Sequence, residues 1–313
     1  MKKYNILVTG CGGDIGQSIG KILKTSSLFN LVIGCDIHDE HAGIFIFDKA
    51  LIVSKCTTDS YLTDIRNIIA QFGIDLILPM SEPEIRLLTE MKIDTWFLDK
   101  KMIAANLQSR EIGFDKLETT YFLKKNHLPF PETSVISDMK PTKFPLIIKS
   151  RNGSGSKSLY KVDGWDEFAF YQKKVPNFIA QEFISDLDGE FTCGLFRSKN
   201  KEIRSIILKR KLVGGFSGYG EVVEDENITS VLHSIATHLD LNGSINVQLR
   251  HSEKGPCVFE INPRFSSTVM FRHMLGFNDL IWSIEDVLDI PLSDYSRPVS
   301  GQKFYKGFNE FVV

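Results

Sequence analysis

The sequence predicts an α/β fold in its N-terminal third and a mixed α+β fold in the remainder. Residues 1 to about 110 alternate short apolar runs with amphipathic segments of helical period, which is typical of a parallel sheet covered by helices on both faces. From about Asp115 onwards, strands and helices follow one another without that alternation. At 313 residues, the chain is long enough for two or three substructures, each with its own core.

The first part is predicted to begin with the strand YNILVT and a helix from about Asp14 to Lys24. The strands LVIGCD and ALIVS follow, then a helix within YLTDIRNIIAQFG and the strand DLILPM. Open sheets of this kind bind ligands at the carboxyl ends of their strands. Ser81 and Glu82, which come directly after DLILPM, are therefore candidate substrate-binding residues.

The second part is predicted to begin with the helix LETTYFLKKNHL and the strand FPLIIKS. The loop RNGSGSKS leads from that strand into a second strand, SLYKV, so the loop joins two strands. The strands IAQEFI, EFTCGLF and IRSIILKRKL come next, followed by the helix ITSVLHSIATHL. A hairpin from INVQLR to CVFEIN and a helix near NDLIWSIEDVLD complete the predicted elements.

The composition indicates a globular protein that recognises its partners locally. Lys and Arg number 37 against 39 Asp and Glu, a formal charge of -2, so no general positive field attracts nucleic acid or an anionic membrane. Five cysteines lie far apart and never form CxxC, which argues against a disulfide framework or a zinc knuckle. No signal peptide and no run of about 18 apolar residues is recognisable, so we expect a cytoplasmic protein without a membrane span.

A glycine-rich loop, VTGCGGDIG, lies between the first predicted strand and the first helix. Such a loop can bring backbone amides to a pyrophosphate at a helix N-terminus, and its TGxxGxxG spacing resembles that of extended short-chain dehydrogenases. Asp36 is placed to bind a ribose hydroxyl, and Tyr121 and Lys125 form a YxxxK pair. One alternative is therefore an NAD(P)-dependent dehydrogenase or epimerase, although it gives the motifs of the second part no role.

The string DIHDEH, from Asp36 to His41, has a composition found at metal sites. No predicted strand or helix fixes the geometry of its side chains. We therefore expect a solvated loop.

A second glycine-rich loop follows Lys149, the last residue of the strand FPLIIK. A loop containing Gly153 and Gly155 can fold over a polyphosphate and present backbone amides, while a lysine on the strand beneath supplies a positive charge. The loop is not a Walker A motif, because GxxxxGK[ST] is absent and no helix follows. Phosphate binding is favoured over a solvated turn, since a turn does not explain the lysine.

The C-terminal hairpin turns at HSEKGP, which predicts that Gln248 lies directly opposite Glu260. Because strand side chains alternate, Asn246 and Asn262 are expected on the same face as this pair. The alternate residues, including Cys257 and Phe259, are expected to face the core. Carboxylate and amide oxygens on facing strands suit Mg²⁺, whereas the alternative is an amphipathic hairpin with a wet polar face.

These motifs resemble those of the ATP-grasp superfamily, and most closely those of the carbamoyl-phosphate synthase large-chain branch. The most specific elements are EINPRFSS at 260–267 and NVQ at 246–248. FDK at 114–116, followed by a helix and LPFPET, resembles the start of the ATP-binding region of this family. The resemblance covers almost the whole chain, as one short ATP-grasp unit.

The resemblance implies a fold in three parts. A Rossmann-like pre-ATP-grasp domain is expected at 1–112, followed by the two-subdomain ATP-grasp fold. Its N-terminal subdomain, with the glycine-rich flap loop, is expected at 113–178, and its C-terminal subdomain, with the magnesium-binding hairpin, at 179–313.

The resemblance also implies roles for individual residues. The expected nucleotide-binding residues are Lys116, Lys149, Gly153, Ser154, Gly155, Gln181, Glu182, Phe183, Ile184 and Glu190. Among these, the two lysines contact phosphate, the strand QEFI meets the adenine edge and Glu190 binds the ribose. The implied metal ligands are Gln248, Glu260 and Asn262, and Arg264 is implied as a catalytic arginine. Apart from the resemblance, Arg210 lies in a basic cluster, Lys209 to Lys211, before GGFSGYG. This cluster could hold a substrate carboxylate, which makes Arg210 a second catalytic candidate, or it could be a solvated charge run.

The function implied is that of an ATP- and Mg²⁺-dependent ligase, with Mn²⁺ as an alternative ion. A small-molecule carboxylate would attack the γ-phosphate of ATP, and an amine or a thiol would capture the resulting acyl phosphate. The first glycine loop would then be a substrate-side loop, with Gly12 and Gly13 as candidates, and a homodimer is a family-level expectation. A non-catalytic ATP-binding module of the same fold stays open as an alternative.

Overall fold

The structure, a computed structural model, describes residues 2–153, 158–185, 187–307 and 311. Sixteen strands and nine α-helices form within these residues. The strands are β1 Tyr4–Thr9, β2 Phe29–Asp36, β3 Lys49–Ile52, β4 Leu76–Leu78, β5 Trp96–Phe97, β6 Lys100–Met102, β7 Thr133–Val135, β8 Leu146–Lys149, β9 Leu159–Val162, β10 Ile179–Glu182, β11 Glu190–Arg197, β12 Ile203–Val213, β13 Phe216–Val222, β14 Gly243–Ser252, β15 Gly255–Asn262 and β16 Lys303–Tyr305. The helices are α1 Asp14–Thr25, α2 Tyr61–Phe72, α3 Glu82–Glu90, α4 Leu107–Gly113, α5 Lys116–Lys125, α6 Trp165–Lys174, α7 Glu226–His238, α8 Val269–Met274 and α9 Asp279–Val287. A 3-10 turn occupies Ala42–Phe45.

The first sheet has the strand order β3-β2-β1-β4-β6-β5, and its first five strands run parallel. Only β5 pairs antiparallel, with β6. Successive residues of β1 enter different cores, since Ile6 packs with helix α1 whereas Leu7 packs with helices α2 and α3. The sheet is therefore buried on both faces, as the alternation of strands and helices predicts.

The turn from β1 into α1 depends on its glycines. Gly10 has a φ of +59°, a backbone conformation that favours glycine. A Cβ on Gly16 would lie 2.2 Å from the carbonyl oxygen of Gly10, so only glycine allows helix α1 to start this close to the turn. The sequence motif is thus required by the packing of the loop, whatever the loop binds.

The second sheet is small and antiparallel, with the order β7-β10-β8-β9. Strand β10 lies in its interior, paired with β7 on one side and β8 on the other. The boundary expected between residues 178 and 179 would separate β10 from the two strands with which it pairs. The backbone hydrogen bonds of β10 tie it to the small sheet rather than to the strands that follow.

The third sheet is a six-stranded antiparallel sheet with the order β15-β14-β11-β12-β13-β16. Helix α7 packs on one face, where Leu232 and Ile235 join a core cluster with Val247 of β14. The hairpin β14–β15 occupies one edge of this sheet and lies beside the small sheet, where the Nζ of Lys149 is 3.4 Å from the carbonyl oxygen of Phe259.

The first sheet shares a core with the C-terminal helices α8 and α9. Val269 of helix α8 and Ile284 of helix α9 belong to the same buried cluster as Val8 of β1 and Ile19 of α1. The C-terminal helices therefore complete the covering of the first sheet, together with α1. No helix in the described part of the chain is long and apolar enough to cross a membrane.

Candidate active site

The polar face of the β14–β15 hairpin has the register that the sequence predicts. Gln248 pairs with Glu260, and Asn246 pairs with Asn262. A β-bulge between Gln248 and Leu249 then shifts the register, so that Leu249 pairs with Val258.

The bulge corrects the expectation for the alternate residues. The core cluster contains Val258 and Ile261, but not Cys257 or Phe259. The ring of Phe259 lies below Lys149 instead, with its centroid 5.7 Å from the lysine Nζ. One extra residue in the strand reverses the faces of its neighbours, which strict alternation cannot anticipate.

Asn246 is not available as a ligand. It is 1% exposed, and its Oδ1 accepts hydrogen bonds from Arg272 and, at 3.0 Å, from the hydroxyl of Thr192. Arg272 is itself fully buried and paired with Asp279 at 2.8 Å. The amide of Asn246 thus belongs to a buried polar network that joins β14 to helix α8.

The three predicted metal ligands lie together on the hairpin and are partly exposed: Gln248, Glu260 and Asn262. The Oε1 atom of Gln248 accepts a hydrogen bond of 3.1 Å from Arg210, and Glu260 lies 3.7 Å from the Nζ of Lys116. Carboxylate and amide oxygens are hard donors, so this set fits a divalent cation such as Mg²⁺.

Two lysines from other elements reach the same place. Lys116 is the first residue of helix α5, and its Nζ donates to the carbonyl oxygen of Gly153 at 2.6 Å. Lys149, at the end of β8, is 7% exposed, and its Nζ lies 3.4 Å from the carbonyl oxygen of Phe259. Burial lowers the pKa of Lys149 to about 8, although Glu260 acts in the opposite direction.

The flap loop is described only at its start. Gly153 lies within the described residues, whereas Ser154 and Gly155, the other two predicted flap residues, lie outside them.

Glu190 is held by two arginines. Its Oε1 accepts from Arg210 at 2.7 Å, and its Oε2 accepts from Arg250 at 2.8 Å. Arg250 also donates to the carbonyl oxygen of Ile184 at 2.8 Å. It therefore joins the predicted ribose residue to the linker strand, the segment QEFI at 181–184. The sequence analysis missed Arg250, yet it stands two residues after Gln248 on the same strand, a spacing that indicates a shared face.

The first two side chains of the linker strand, Gln181 and Glu182, form hydrogen bonds and ion pairs with neighbouring elements. Gln181 is buried and donates to the hydroxyl of Thr133 at 2.9 Å. Glu182 pairs with Lys143 and, at 2.9 Å, with Lys254. Burial alone would raise the pKa of Glu182, but the hydrogen bonds from these two lysines outweigh it and lower that pKa to about 2. Glu182 thus links the small sheet to the turn of the β14–β15 hairpin.

Phe183 and Ile184 continue the linker. The Nζ of Lys161 lies 5.3 Å from the centroid of the Phe183 ring, and Ile184 is buried. These contacts place the predicted adenine-binding segment between the small sheet and β14.

Arg264 connects the hairpin to the first sheet. Its guanidinium lies 3.4 Å from Glu82, which also pairs with Arg86 at 2.8 Å. Ser81 immediately precedes helix α3, and a Cβ on Gly10 would lie 3.3 Å from its backbone nitrogen. The turn after β1, at Gly10, therefore lies next to Ser81, which follows β4.

The contacts of the first glycine loop and the position of the YxxxK pair bear on the dehydrogenase alternative. The amide of Gly12 donates to Asp36 at 2.8 Å, and Gly13 is exposed at the start of helix α1. The ring of His41 lies so close that a Cβ on Gly12 would be 2.5 Å from it. Tyr121 is 53% exposed on helix α5, which packs against β7 and β15. The YxxxK pair thus lies on a helix that packs against the second and third sheets, whereas the glycine loop belongs to the first sheet.

A buried carboxyl group at the same edge of the first sheet escaped the sequence analysis. Glu84, on helix α3, accepts hydrogen bonds from the hydroxyls of Thr9 and Tyr61. Burial raises its pKa to about 7, although these two hydrogen bonds act in the opposite direction. The Thr9 hydroxyl also accepts from the amide of Met80 at 3.1 Å, so the network joins the ends of β1 and β4.

Comparison with protein families identifies the fold. A model of the ATP-grasp domain matches residues 114–268, and a model of the PylC-like N-terminal domain matches residues 6–103. The chain belongs to the ATP-grasp superfamily, which confirms the resemblance. An uncharacterized protein of Mycoplasma genitalium is 31% identical over 113 residues, and this match spans 36% of the present chain and 39% of the relative.

Solved structures agree on the fold. The ADP complex of purK, an N5-carboxyaminoimidazole ribonucleotide synthetase, matches with a TM-score of 0.74 at 14% identity and covers 95% of this chain and 80% of that one. The biotin carboxylase domain dimer of Hydrogenobacter thermophilus 2-oxoglutarate carboxylase, in complex with MgADP, ADP and bicarbonate, matches with a TM-score of 0.72 at 14% identity, over 97% and 74% of the two chains. An L-amino acid ligase from Bacillus licheniformis matches with a TM-score of 0.67 at 16% identity, over 92% and 75%.

Proposed function

We propose that this protein is an ATP- and Mg²⁺-dependent ligase that joins a carboxylate to an amine, or to a thiol, through an acyl phosphate. The observation that carries the proposal is the convergence of Glu260 with two lysines from separate elements, Lys116 and Lys149. A carboxylate faces two cations beside a glycine-rich loop, which is the arrangement that a metal-bound polyphosphate requires.

The proposed reaction has two steps. In the first, an oxygen of the substrate carboxylate bonds to the γ-phosphorus, the bond from that phosphorus to the β–γ bridging oxygen breaks, and ADP leaves. In the second, the nucleophile bonds to the acyl carbon, phosphate leaves and the nucleophile loses its proton. Both steps place negative charge on phosphoryl oxygens, so positioned cations favour them.

The residues of this chain have separable roles in the proposal. Lys116 and Lys149 bind the phosphates. Gln248, Glu260 and Asn262 hold the divalent ion, Mg²⁺ or alternatively Mn²⁺, which supplies charge neutralisation when bound. Arg264 and Arg210 offset charge on the transferring phosphoryl group and on the substrate carboxylate. Arg264 suits this role because it lies beside Glu82 at the substrate-side edge of the first sheet.

The nucleoside would be held by the linker strand and Glu190. The backbone of 181–184 would meet the adenine, and residues 153–155 would cover the phosphates. Glu190 is fixed by two arginines, so a ribose hydroxyl could donate to an already oriented carboxylate.

We also propose how the parts of the chain divide the work. Residues 1–112 would form a Rossmann-like pre-ATP-grasp domain that binds the second substrate through Gly12, Gly13, Ser81 and Glu82. The small sheet and the large sheet would form the two ATP-grasp subdomains, and the active protein would be a homodimer.

Calorimetry with a matched pair of variants tests the nucleotide site. Wild type, Glu260→Gln and Glu253→Gln would each be titrated with ATP plus Mg²⁺, and separately with NAD and NADP. We expect ATP binding that needs Mg²⁺, at least a tenfold weakening in Glu260→Gln, and wild-type affinity in Glu253→Gln, whose side chain is exposed on the turn of the same hairpin. Dinucleotide heat that survives Glu260→Gln would instead support the dehydrogenase alternative.

Turnover tests the ligase step itself. Release of ADP would be followed with pairs of carboxylates and amines, and hydroxylamine would be added to trap an acyl phosphate as a hydroxamate. ADP release that requires a carboxylate supports the proposal. Tight ATP binding without carboxylate-dependent ADP release for any pair would identify a non-catalytic module.

A further inference from the structure

We propose that the loop after β1 and the segment after β2 form a second metal site, for a zinc-class divalent ion, with Cys11, Asp36 and His41 as its ligands. The sequence predicts a solvated loop for DIHDEH, but the structure brings both ends of this string to the buried Cys11. This site is separate in sequence and in chemistry from the oxygen-rich site on the β14–β15 hairpin.

The first argument is the position of the donor atoms. The thiol of Cys11, a carboxylate oxygen of Asp36 and a ring nitrogen of His41 all lie within 4.8 Å of one another. A tetrahedral ion with ligand bonds of about 2.0 to 2.3 Å needs donors roughly 3.5 Å apart. The three donor atoms are therefore close enough for changes of side-chain rotamer to complete the shell.

The second argument is an unpartnered nitrogen. The Nδ1 atom of His41 is buried and has no hydrogen-bond partner among the described residues. Its ring is packed over the loop, since a Cβ on Gly12 would lie 2.5 Å from the ring and one on Gly43 would lie 2.8 Å from Nδ1. A buried polar atom without a partner is unfavourable. A metal ion bound to the His41 ring would supply the missing partner.

The third argument is the orientation of the carboxylate. Asp36 ends strand β2 and accepts hydrogen bonds from the amides of Gly12, at 2.8 Å, and Ile37, at 2.7 Å. Each of its oxygens keeps a free lone pair, and the two amides fix its direction. Hydrogen bonds of this kind hold metal ligands in place in known sites.

The ligand types identify the class of ion. A thiolate and an imidazole select zinc-class transition metals and disfavour Mg²⁺. Three protein ligands leave one tetrahedral position open for water or for an amine or carboxylate group of a ligand. The site lies at the carboxyl ends of β1 and β2, the edge where open parallel sheets bind ligands.

Cobalt spectroscopy of the full chain tests the site. Chelator-treated protein without nucleotide would be titrated with Co²⁺, and then with Zn²⁺. We expect one equivalent of Co²⁺ to give a thiolate-to-cobalt charge-transfer band, which Zn²⁺ removes. Cys11→Ser should abolish the band, and His41→Ala and Asp36→Asn should each weaken Co²⁺ binding more than tenfold.

Two control variants make the result specific. Cys56→Ser removes a partly exposed thiol elsewhere in the first domain, and Glu260→Gln alters the proposed magnesium site. Both should keep the band at wild-type affinity. The proposal is overturned if wild type shows no band, if Cys11→Ser retains it, or if Glu260→Gln loses it. Should Cys11→Ser not fold, as judged by circular dichroism, a more than tenfold loss of Co²⁺ affinity in His41→Ala supports the site, and an unchanged affinity overturns it.

Discussion

At the scale of single residues, Lys149 shows how burial tunes a binding group. The side chain is 7% exposed, and burial lowers its pKa to about 8 because the charged ammonium loses its hydration. A phosphate ligand would favour the charged form, so binding raises this pKa again. The affinity for ATP therefore depends on whether the free protein already carries the proton.

We expect ATP to bind less tightly as the pH rises above about 8. Over the range between the free and the bound pKa, the affinity should fall by up to about tenfold per pH unit. Lys149→Arg, which stays charged throughout, should bind ATP with a flatter profile in the same range. Calorimetric titrations between pH 7 and 10 would check this, and identical slopes in both proteins would contradict it.

The sequence predicts some residues of the site and misses others for physical reasons. The pairing of Gln248 with Glu260 follows from the length of the hairpin turn. The orientation of Phe259 does not, because the bulge beside it leaves no mark on the apolar pattern. The sequence also could not show that Asn246 is unavailable as a ligand. Its Oδ1 accepts a hydrogen bond from Arg272, which is distant in sequence and reaches Asn246 only in the folded state.

At the scale of elements, the start of helix α5 positions one of the phosphate lysines. Asp115 caps this helix by accepting from the amides of Leu117 and Glu118, and it also pairs with Arg151 at 2.7 Å. Lys116 follows directly in the first turn. The cap thus fixes both the start of helix α5 and the start of the flap loop, where Arg151 lies.

Asp115→Ala should lower the free energy of unfolding by about 1–2 kcal/mol, because an N-cap and its hydrogen bonds are lost. It should also weaken ATP binding severalfold, since Lys116 loses its fixed position. The matched control is Asp225→Ala, which removes the cap of helix α7, where Asp225 accepts from Ile228. Urea unfolding and calorimetry would show a similar loss of stability in both variants but weaker ATP binding only in Asp115→Ala. Equal ATP affinities would refute the positioning role.

The elements themselves were unequally predictable. Helices α1, α2 and α7 have clear apolar stripes and appear where the sequence places them. Helix α6 was missed because Phe168 is its only buried residue, so it has almost no stripe to detect. Helix α3 was missed as well: it follows β4 closely and has Pro83 in its first turn, a residue that starts helices but also marks loops.

At the scale of the whole molecule, the first sheet and the C-terminal helices share one buried core. Ile284 of helix α9 is fully buried in the same cluster as Val8 and Ile19. The order of elements along the chain could not predict this contact, because it joins segments from the two ends of the sequence. The parallel sheet was predictable, but the helices that cover one of its faces were not.

Ile284→Ala should lower the free energy of unfolding by about 2–5 kcal/mol, because it leaves a cavity in this shared core. Ile44→Ala, at a side chain that is 46% exposed, should change stability by less than about 0.5 kcal/mol. We expect the fluorescence of the buried Trp282 and far-UV circular dichroism to report the same transition midpoint in urea. Two separated midpoints would show that the first sheet unfolds independently.

The shared core also has a consequence during synthesis of the chain. The apolar side of helix α1 is complete once Thr25 has been made, but the helices that cover it begin only at Val269. At typical elongation rates, roughly 240 further residues take about ten to fifty seconds to emerge. During that interval the nascent first sheet exposes an apolar surface that can associate with neighbouring polypeptides. Protection by a ribosome-associated chaperone would therefore matter most before the last 45 residues of the chain, from Val269 onwards, appear.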